Sequence, residues 1–407
     1  MPKDKKPSPK KDQLTARDAH YRDNMHEILD SIREQSPSYK DENFKRWVVT
    51  TYQGVQGVLK NTTGCGRDAS VSAEDTWGRV LAQNPKGAFG MLDVDGEEHR
   101  RLRSSITKEF SPKQVALLSP MIECVANELI DKLKALDSFD LIESLAAPFP
   151  TIVISNVLGV DKKDQEQFKR WSNEWVHNIG PGVSKEAAAQ GEKAYRSLSD
   201  YFDKAVQDRA NQDTGDLLSR LIHQQDAQCQ LSSQEIVTLS LLLILAGNLT
   251  STDVIGNGIV ALIKHPGELN RLQENPALIA QATEEILRFD APITETIRFL
   301  NTPVEVEDVS IDEGQTLMLN LAAANHDPKV FHCPHQFDIL REGPPHVAFG
   351  GGTHLCLGIH LARLEIQIIL KKFLEAFPSI HLMEEPERKA VSLFNGYKAV
   401  WLSVKPQ

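Results

Sequence analysis

The sequence predicts a mainly α-helical protein with small β-sheets. Helical stretches follow one another in quick succession from about residue 96 to residue 290, and the longest is predicted over 232–265. Short apolar and β-branched stretches separated by turn residues occur over 47–51 and 296–319, which is typical of short strands. A second long apolar helix is predicted over 357–377, and the residues after it alternate like strands.

Proline and local composition set the boundaries of the other elements. A helix is predicted over 15–35 and a short one over 52–59, whereas 61–92 is rich in Gly, Asn, Ser and Asp and is expected to be a long, functional connection. Pro266 and Pro292 end helices, because the residue before a proline avoids the helical conformation. Residues 320–356 are predicted to be mostly loop. The helices between are predicted over 96–109, 112–135, 140–158, 163–178, 185–211, 214–223, 268–275 and 277–290.

Composition excludes several classes of protein. The chain has 41% hydrophobic and 25% charged residues, which is ordinary for a globular protein and excludes a disordered or collagen-like chain. Its formal net charge of −11 argues against a nucleic-acid binder. Five cysteines with no CxxC pair make a disulfide framework or a zinc ribbon a poor interpretation, so a reducing, cytoplasmic compartment is expected.

One domain with a short tail is the predicted organisation. Residues 1–14 are basic and proline-rich without an apolar signal segment, so a disordered tail is expected there, followed by a single domain over 15–407. The longest apolar run, 241–247, is far shorter than the roughly 20 residues that span a bilayer. It therefore predicts a buried core helix and no membrane span.

A glycine-rich loop around Cys356 is the most informative stretch. Residues 349–358 read Phe-Gly-Gly-Gly-Thr-His-Leu-Cys-Leu-Gly. Consecutive glycines allow a tight backbone and close approach to a flat ligand. Cys356 lies just before the predicted helix 357–377, where helix amides lower the pKa of a thiol and favour a thiolate metal ligand. The alternative is a buried structural cysteine.

The loop matches the pattern F-x-x-G-x-H-x-C-x-G at every fixed position, and it thereby resembles the haem-binding loop of the cytochrome P-450 family. The resemblance implies that the Cys356 thiolate is the proximal iron ligand, which pushes electron density onto the iron. It implies that Phe349 packs under the haem near the sulfur. The implied fold is that of a cytochrome P-450, in which a long central distal helix and the helix after the Cys loop enclose haem b.

Further motifs occur in the order that this family has. Glu285 and Arg288 form an E-x-x-R on one helical face, 71 residues before Cys356. They resemble the family's structural ion pair, whose third partner resembles an arginine in the 337–341 stretch. His99 and Arg103 lie four apart on one helical face and resemble the family's haem-propionate helix. Arg298 and His354 match two other propionate-binding positions.

The predicted helix 232–265 resembles the distal helix that crosses the haem face. Gly247 permits a local kink, and Thr250 matches the threonine that hydrogen-bonds dioxygen and organises proton delivery; a back-bond from its hydroxyl to the helix backbone is the alternative. The family usually has an acid directly before this threonine, whereas this chain has Leu249. We expect water to bridge Thr250 to Asp253 or to Asn248 instead.

A second departure from the family pattern lies in the segment Ala-Ala-Asn-His-Asp-Pro over 323–328. His326 stands where an arginine is common, and only local consequences are expected.

The resemblance implies a haem-thiolate monooxygenase that inserts one oxygen atom from O2, the co-substrate, into a small-to-medium, mostly apolar substrate. No flavin or iron–sulfur motif is visible, so electrons are expected to come from NAD(P)H through a ferredoxin and its reductase. The protein is expected to be a monomer. Five basic residues could form a surface for the ferredoxin on the proximal face, and ordinary solvated surface is the alternative. They are Arg100, Arg101, Arg363, Lys371 and Lys372.

Two other functions stay open. Leu249 in place of the acid leaves room for a peroxide-driven peroxygenase or another haem-thiolate oxidative tailoring enzyme. A non-catalytic haem sensor is the third interpretation, and the distal threonine argues against it.

Overall fold

The structure is a computed structural model that describes residues 13–83, 89–176, 184–224, 230–391 and 393–404. The described part of the chain is mostly helical, with 57% of its residues in helices, as the sequence predicts. The α-helices are α1 (Ala19–Asp23), α2 (Met25–Gln35), α3 (Tyr52–Lys60), α4 (Trp77–Leu81), α5 (Gly96–Thr107), α6 (Pro112–Ala116), α7 (Ser119–Leu133), α8 (Pro148–Leu158), α9 (Gln165–Val176), α10 (Lys185–Arg209), α11 (Leu217–Ile222), α12 (Ser233–Lys264), α13 (Pro266–Glu274), α14 (Ile279–Phe289), α15 (Leu321–Asn325) and α16 (Ile359–Ala376).

The strands are short and form small sheets. They are β1 (Ser38–Asp41), β2 (Arg46–Val49), β3 (Cys65–Gly66), β4 (Ser138–Asp140), β5 (Glu295–Leu300), β6 (Val304–Val306), β7 (Val309–Ile311), β8 (Thr316–Asn320), β9 (His381–Leu382) and β10 (Trp401–Ser403). The largest sheet has the order β1-β2-β8-β5-β3, with β2 and β8 parallel and the other pairs antiparallel. Strands β4, β10 and β9 form a second sheet, and β6 pairs with β7. The strands predicted over 296–319 are confirmed as β5 to β8.

Two compact units divide the chain. The strand-rich unit comprises Met1–Lys86, Glu285–Cys356 and Arg388–Asn395, and the helical unit comprises Gly87–Glu284, Leu357–Glu387 and Gly396–Gln407. The single domain over 15–407 stays a prediction. Residues 1–12 of the basic tail predicted over 1–14 lie outside the described residues, and Leu14 is buried in the core of the strand-rich unit.

Apolar faces of β2, β8 and their flanking helices form the core of the strand-rich unit. Val48 and Met318 pair across the parallel strands and pack against Leu29 and Ile32 on one face. On the other face Val49 and Leu319 pack against helix α3. Alternation along a strand places successive side chains on opposite faces, which is why one sheet serves two apolar clusters.

Helix α12 is the longest helix of the helical unit. Ser232 and Glu235 form a reciprocal capping box at its start. The helix is long and apolar enough to cross a membrane by length and composition, but 78% of its most apolar stretch is buried inside the protein, as in a core helix. Helices α8, α10 and α16 pack against it.

The structure corrects several predicted helices. The helix predicted over 140–158 is replaced by β4, a π-helical turn over 142–146 and α8, because α8 starts at Pro148, which cannot donate a hydrogen bond to a preceding turn. The helix predicted over 112–135 is divided into α6 and α7, with Pro120 in the first turn of α7.

Two predicted loops contain structure. The connection 61–92 holds β3 and α4 among its described residues, and the loop 320–356 begins with α15, which the Asn320 side chain caps by accepting from the Ala323 amide at 2.8 Å. Elements of two to five residues are too short for periodicity to reveal.

Candidate active site

The cysteine loop has a constrained backbone. Gly350 and Gly352 have φ of 69° and 66°, which favours glycine. A Cβ on Gly352 would lie 2.0 Å from the Leu59 carbonyl oxygen at the end of α3, so only glycine fits there. The Cys356 amide donates to the Phe349 carbonyl at 3.0 Å, and this bond closes the loop. Cys356 is half-buried and forms no disulfide with another described cysteine, and α16 begins three residues later.

A buried ion network lies in the same unit as the loop. Arg288 donates to both carboxylate oxygens of Glu285 at 2.7 and 2.8 Å, and both side chains are 3% exposed. Arg341 donates to the same carboxylate at 3.2 Å, so it is the third partner that the sequence placed within 337–341. The guanidinium of Arg288 also donates to the carbonyls of Asn325, Pro334 and Gln336. These contacts hold the segment that leads into the cysteine loop.

Arg298 is buried on β5 of the strand-rich unit. It donates to the carbonyl of its neighbour Ile297 at 2.7 Å, and Arg67 donates to the same carbonyl at 3.0 Å. Two guanidinium groups thus converge on one carbonyl, which favours an anion beside them. Sequence analysis missed Arg67 because a single arginine in the connection over 61–92 carries no pattern. His354 is half-buried in the 3-10 turn of the cysteine loop, in the same unit.

The other two predicted propionate ligands lie together in the helical unit. His99 and Arg103 are four residues apart on α5, with His99 3% exposed and Arg103 half-buried. Their spacing places both side chains on one face of the helix, as the sequence predicts.

A window of incompletely buried residues interrupts the buried surface of α12. From Leu239 to Leu262 every residue is buried except Leu245, Ala246, Gly247 and Thr250. The helix is continuous through Gly247. The hydroxyl of Thr250 donates to the Ala246 carbonyl at 2.7 Å, which is the back-bond stated above as the alternative for this threonine. The window therefore coincides with the predicted oxygen-binding position.

The two predicted replacements for the missing acid have different surroundings. Asn248 is 2% exposed, and its Oδ1 accepts from the Thr151 hydroxyl of α8 at 2.8 Å. At 100° per residue it points about 160° away from Thr250, so a direct water bridge between them is unfavourable. Asp253 is 1% exposed, points about 60° from Thr250, and lies against the backbone of Gly396.

Sequence analysis missed Glu365, a buried carboxyl on α16 that reaches α12. Glu365 is 3% exposed, and it accepts a hydrogen bond from the hydroxyl of Ser251, the neighbour of Thr250, at 2.8 Å. Burial raises the pKa of Glu365 to about 8, and the bond from Ser251 opposes the rise. A charged residue at an apolar position of α16, between Leu361 and Ile369, is the signal that could have revealed it.

The proposed basic surface in the helical unit is largely neutralised. Arg363 forms a bidentate pair with Glu284 at 2.7 and 2.8 Å, and Lys372 lies 3.9 Å from Glu123. Arg101 pairs with Glu235, and Arg100 with Glu97. These pairs favour the solvated-surface interpretation. A separate cleft of about 500 Å³ near Phe110, Met121 and Arg220 contains none of the predicted site residues.

The residues present fit a haem. In the strand-rich unit the constrained loop presents the Cys356 thiol, and Arg298 and His354 are donors that suit a carboxylate. In the helical unit His99 and Arg103 are a second pair of such donors, and the window leaves part of the α12 surface incompletely buried. The described residues Cys65, Cys124 and Cys333 are also free thiols, but none lies in such a loop.

Comparison with known proteins identifies the family. The family model described as cytochrome P450 matches residues 18–393. A biotin biosynthesis cytochrome P-450 from Bacillus subtilis (strain 168) is 32% identical over 367 residues, which covers 89% of this chain and 91% of the relative. The cytochrome P-450 monooxygenase PikC of Streptomyces venezuelae is 33% identical over 362 residues, covering 87% and 84%.

A solved structure supports the fold. The crystal structure of the cytochrome BioI in complex with hexadec-9Z-enoic acid ligated acyl carrier protein superposes with a TM-score of 0.87 at 30% identity, covering 95% of this chain and 100% of that one. Because the family model spans most of the chain, and the relatives match it over most of their own length, the chain belongs to the cytochrome P-450 family of haem-thiolate monooxygenases.

Proposed function

We propose that the protein hydroxylates or epoxidises a small-to-medium, mostly apolar substrate with one oxygen atom of O2. The observation that carries this proposal is the cysteine loop, in which two left-handed glycines and the bond from the Cys356 amide hold the Cys356 thiol before α16. Bound haem b supplies the activation of O2 with two electrons and two protons.

The proposed haem contacts are those that the family resemblance implies. Cys356 holds the iron, and Phe349 packs near the sulfur. His99 and Arg103 of α5, together with Arg298 and His354, pair with the propionates, since buried carboxylates need charge-assisted partners. Arg67 joins them because it shares the Ile297 carbonyl with Arg298.

Proton delivery is proposed to start at the window of α12. Thr250 offers its hydroxyl once the back-bond to Ala246 is released, as Gly247 permits. Asp253 lies on the same side of the helix, and Glu365 holds a proton at neutral pH beside Ser251. We propose that this neutral acid, bonded to the residue after Thr250, substitutes for the usual acid that Leu249 replaces. Asn248 is the weakest of the predicted participants because Thr151 occupies its carbonyl oxygen.

The electron donor is proposed to be a ferredoxin-type protein reduced from NAD(P)H through a reductase. The four described cysteines form no disulfide with one another, which suits a reducing cytoplasm, and we propose that the protein is a cytoplasmic monomer. Size-exclusion chromatography with light scattering checks the monomer.

An apolar chain is the substrate class to test first. The similar BioI structure holds a hexadecenoic acid carried on an acyl carrier protein. Free long-chain fatty acids, and then the same acids on a carrier protein, are titrated into the ferric protein, and a spin-state shift in the absorption spectrum reports binding.

The assignment of Cys356 is tested by the CO difference spectrum, in which the spectrum of the reduced protein is subtracted from that of the reduced protein with CO. A strongly red-shifted Soret band is expected for the wild type, and Cys356→His is expected to lose it while Cys124→Ser, an exposed cysteine, keeps it. A wild-type band typical of histidine-ligated haem would refute the assignment.

Proton delivery is tested by measuring coupling, which is the amount of product formed per NAD(P)H consumed. The assay uses a surrogate ferredoxin and reductase. Thr250→Ala and Glu365→Gln are expected to lose coupling several-fold, Asp253→Asn to lose less, and Asn248→Ala to stay near wild type. Turnover that needs only peroxide, at a rate that Thr250→Ala leaves unchanged, would instead support the peroxygenase alternative.

A further inference from the structure

Three histidines from separate segments meet in the strand-rich unit. His26 lies on α2, His326 follows α15, and His335 lies in the loop beyond it. The ring centroids of His26 and His326 are 4.1 Å apart, and His335 stacks on His326 at 5.1 Å. One ring nitrogen from each histidine lies within 4.8 Å of the other two. Imidazole nitrogens at this spacing form a ligand set for a transition metal.

Two of the rings are oriented as in metal sites. Nδ1 of His326 bonds the Ala322 carbonyl oxygen at 3.0 Å, which leaves Nε2 with its lone pair. Nε2 of His335 bonds Oδ2 of Asp30 at 2.7 Å, which leaves Nδ1. Arg33 pairs with the other oxygen of Asp30 and holds the carboxylate in place. Carbonyl and carboxylate partners behind the ring are the usual outer contacts of metal-binding histidines.

His26 completes the set. Its Nδ1 is buried and has no hydrogen-bond partner among the described residues. The nearby arginines have carboxylate partners: Arg288 shares Glu285 with Arg341, and Arg388 pairs with Asp290 at 2.6 Å.

We propose that His26, His326 and His335 bind one divalent transition metal ion of the zinc class, with water in the fourth position. Zinc bonds imidazole at about 2.0–2.1 Å in a tetrahedral site, which places ligand nitrogens about 3.3 Å apart. The distances between the three ligand nitrogens, which are at most 4.8 Å, must therefore shorten by about 1.5 Å at most. The side chain of His335, 48% exposed, is free to supply that movement.

The ion stabilises the fold and takes no part in oxygen chemistry. It joins α2 to the segments around His326 and His335, and these segments carry the carbonyls of Asn325, Pro334 and Gln336 that Arg288 holds. A ligand that binds only the folded state raises its stability. The site uses His326, which stands where the family commonly has arginine, a side chain that cannot ligate.

The test is a titration of the chelator-treated holoenzyme with ZnCl2 by calorimetry, with thermal unfolding and X-ray absorption at the zinc edge. One equivalent of zinc, nitrogen ligation and a raised Tm are expected in the wild type. His335→Ala, at an exposed position, and His326→Arg are expected to lose at least tenfold in affinity. Asp30→Asn is expected to lose roughly ten- to a hundredfold, as outer contacts do.

His332→Ala is the matched control, because this exposed neighbour lies outside the cluster and its Nε2 is 3.4 Å from the Cys333 sulfur. It is expected to bind zinc like the wild type. The CO difference spectrum of each variant verifies that the protein is folded. No zinc binding by folded wild type, equal binding by His335→Ala, or loss only in His332→Ala would each overturn the proposal.

Discussion

Replacing Glu365 by glutamine is expected to stabilise the protein in a pH-dependent way. The carboxyl is 3% exposed on α16 and accepts from Ser251. Glutamine keeps the shape and the carbonyl acceptor for that hydroxyl, and it removes the ionisable proton. The variant therefore isolates the free energy of keeping this acid neutral.

The size of the effect follows from the two pKa values. The pKa of Glu365 rises from 4.5 in the unfolded chain to about 8 in the folded protein. Below pH 4.5 the acid is neutral in both states and folding is not penalised. Between pH 4.5 and 8 the unfolded chain ionises and the folded one does not, so stability falls by about 1.4 kcal/mol per pH unit. At pH 7 the penalty is about 3 kcal/mol.

Urea unfolding of wild type and Glu365→Gln at pH 5, 6, 7 and 8 measures this difference. The stability advantage of the variant is expected to grow steadily with pH over this range. Glu375→Gln, which removes an exposed carboxyl from the same helix, is the matched control. Infrared spectroscopy gives a second readout, because the carbonyl band of a protonated acid present in the wild type at pH 7 is expected to be absent from the variant.

An advantage that stays constant from pH 5 to pH 8 would refute the reasoning, because it would mean that Glu365 ionises alike in both states. Absence of the protonated-acid band from the wild type at pH 7 would do the same and would remove Glu365 from the proposed proton delivery.

Two further substitutions test the cysteine loop and its support. Arg288→Ala leaves the buried carboxylate of Glu285 without its main partner, and a loss of about 3–5 kcal/mol in the free energy of urea unfolding is expected; an unchanged midpoint would show that Arg341 alone suffices. Gly352→Ala would drive its Cβ to 2.0 Å from the Leu59 carbonyl at a positive φ, so the CO difference band is expected to weaken sharply, whereas Gly267→Ala, with nothing within 4 Å of its Cβ, keeps it. Equal bands from both glycine variants would contradict the argument.

Local pattern was sufficient where a residue's chemistry depends on its neighbours in the chain. The spacing of the glycines and Cys356 is enough to identify the loop over 349–358. The E-x-x-R of Glu285 and Arg288 lies within one helical turn. Long helices such as α12 and α16 were predicted nearly to their ends because their apolar periodicity extends over many residues. Short elements such as α4 and α15 were missed because two to five residues carry no period.

Residues that act together across long sequence separations were not predictable in the same way. Glu365 bonds to Ser251 of α12 only because α16 packs against α12. The pKa of Glu365 is raised only because folding removes water from its carboxyl. Arg341 could be placed within five residues, but its bond to Glu285 needed the folded loop.

The sequence by itself therefore determined the family and the helical class and led to the prediction of Cys356 as the thiol ligand, since these depend on residue type at close spacing. Tertiary structure alone decided that Asn248 faces Thr151, that Ser251 meets Glu365, and that His26, His326 and His335 converge. Such contacts join segments up to 309 residues apart, between positions 26 and 335. Packing of the whole chain brings them together, and no local pattern encodes that distance.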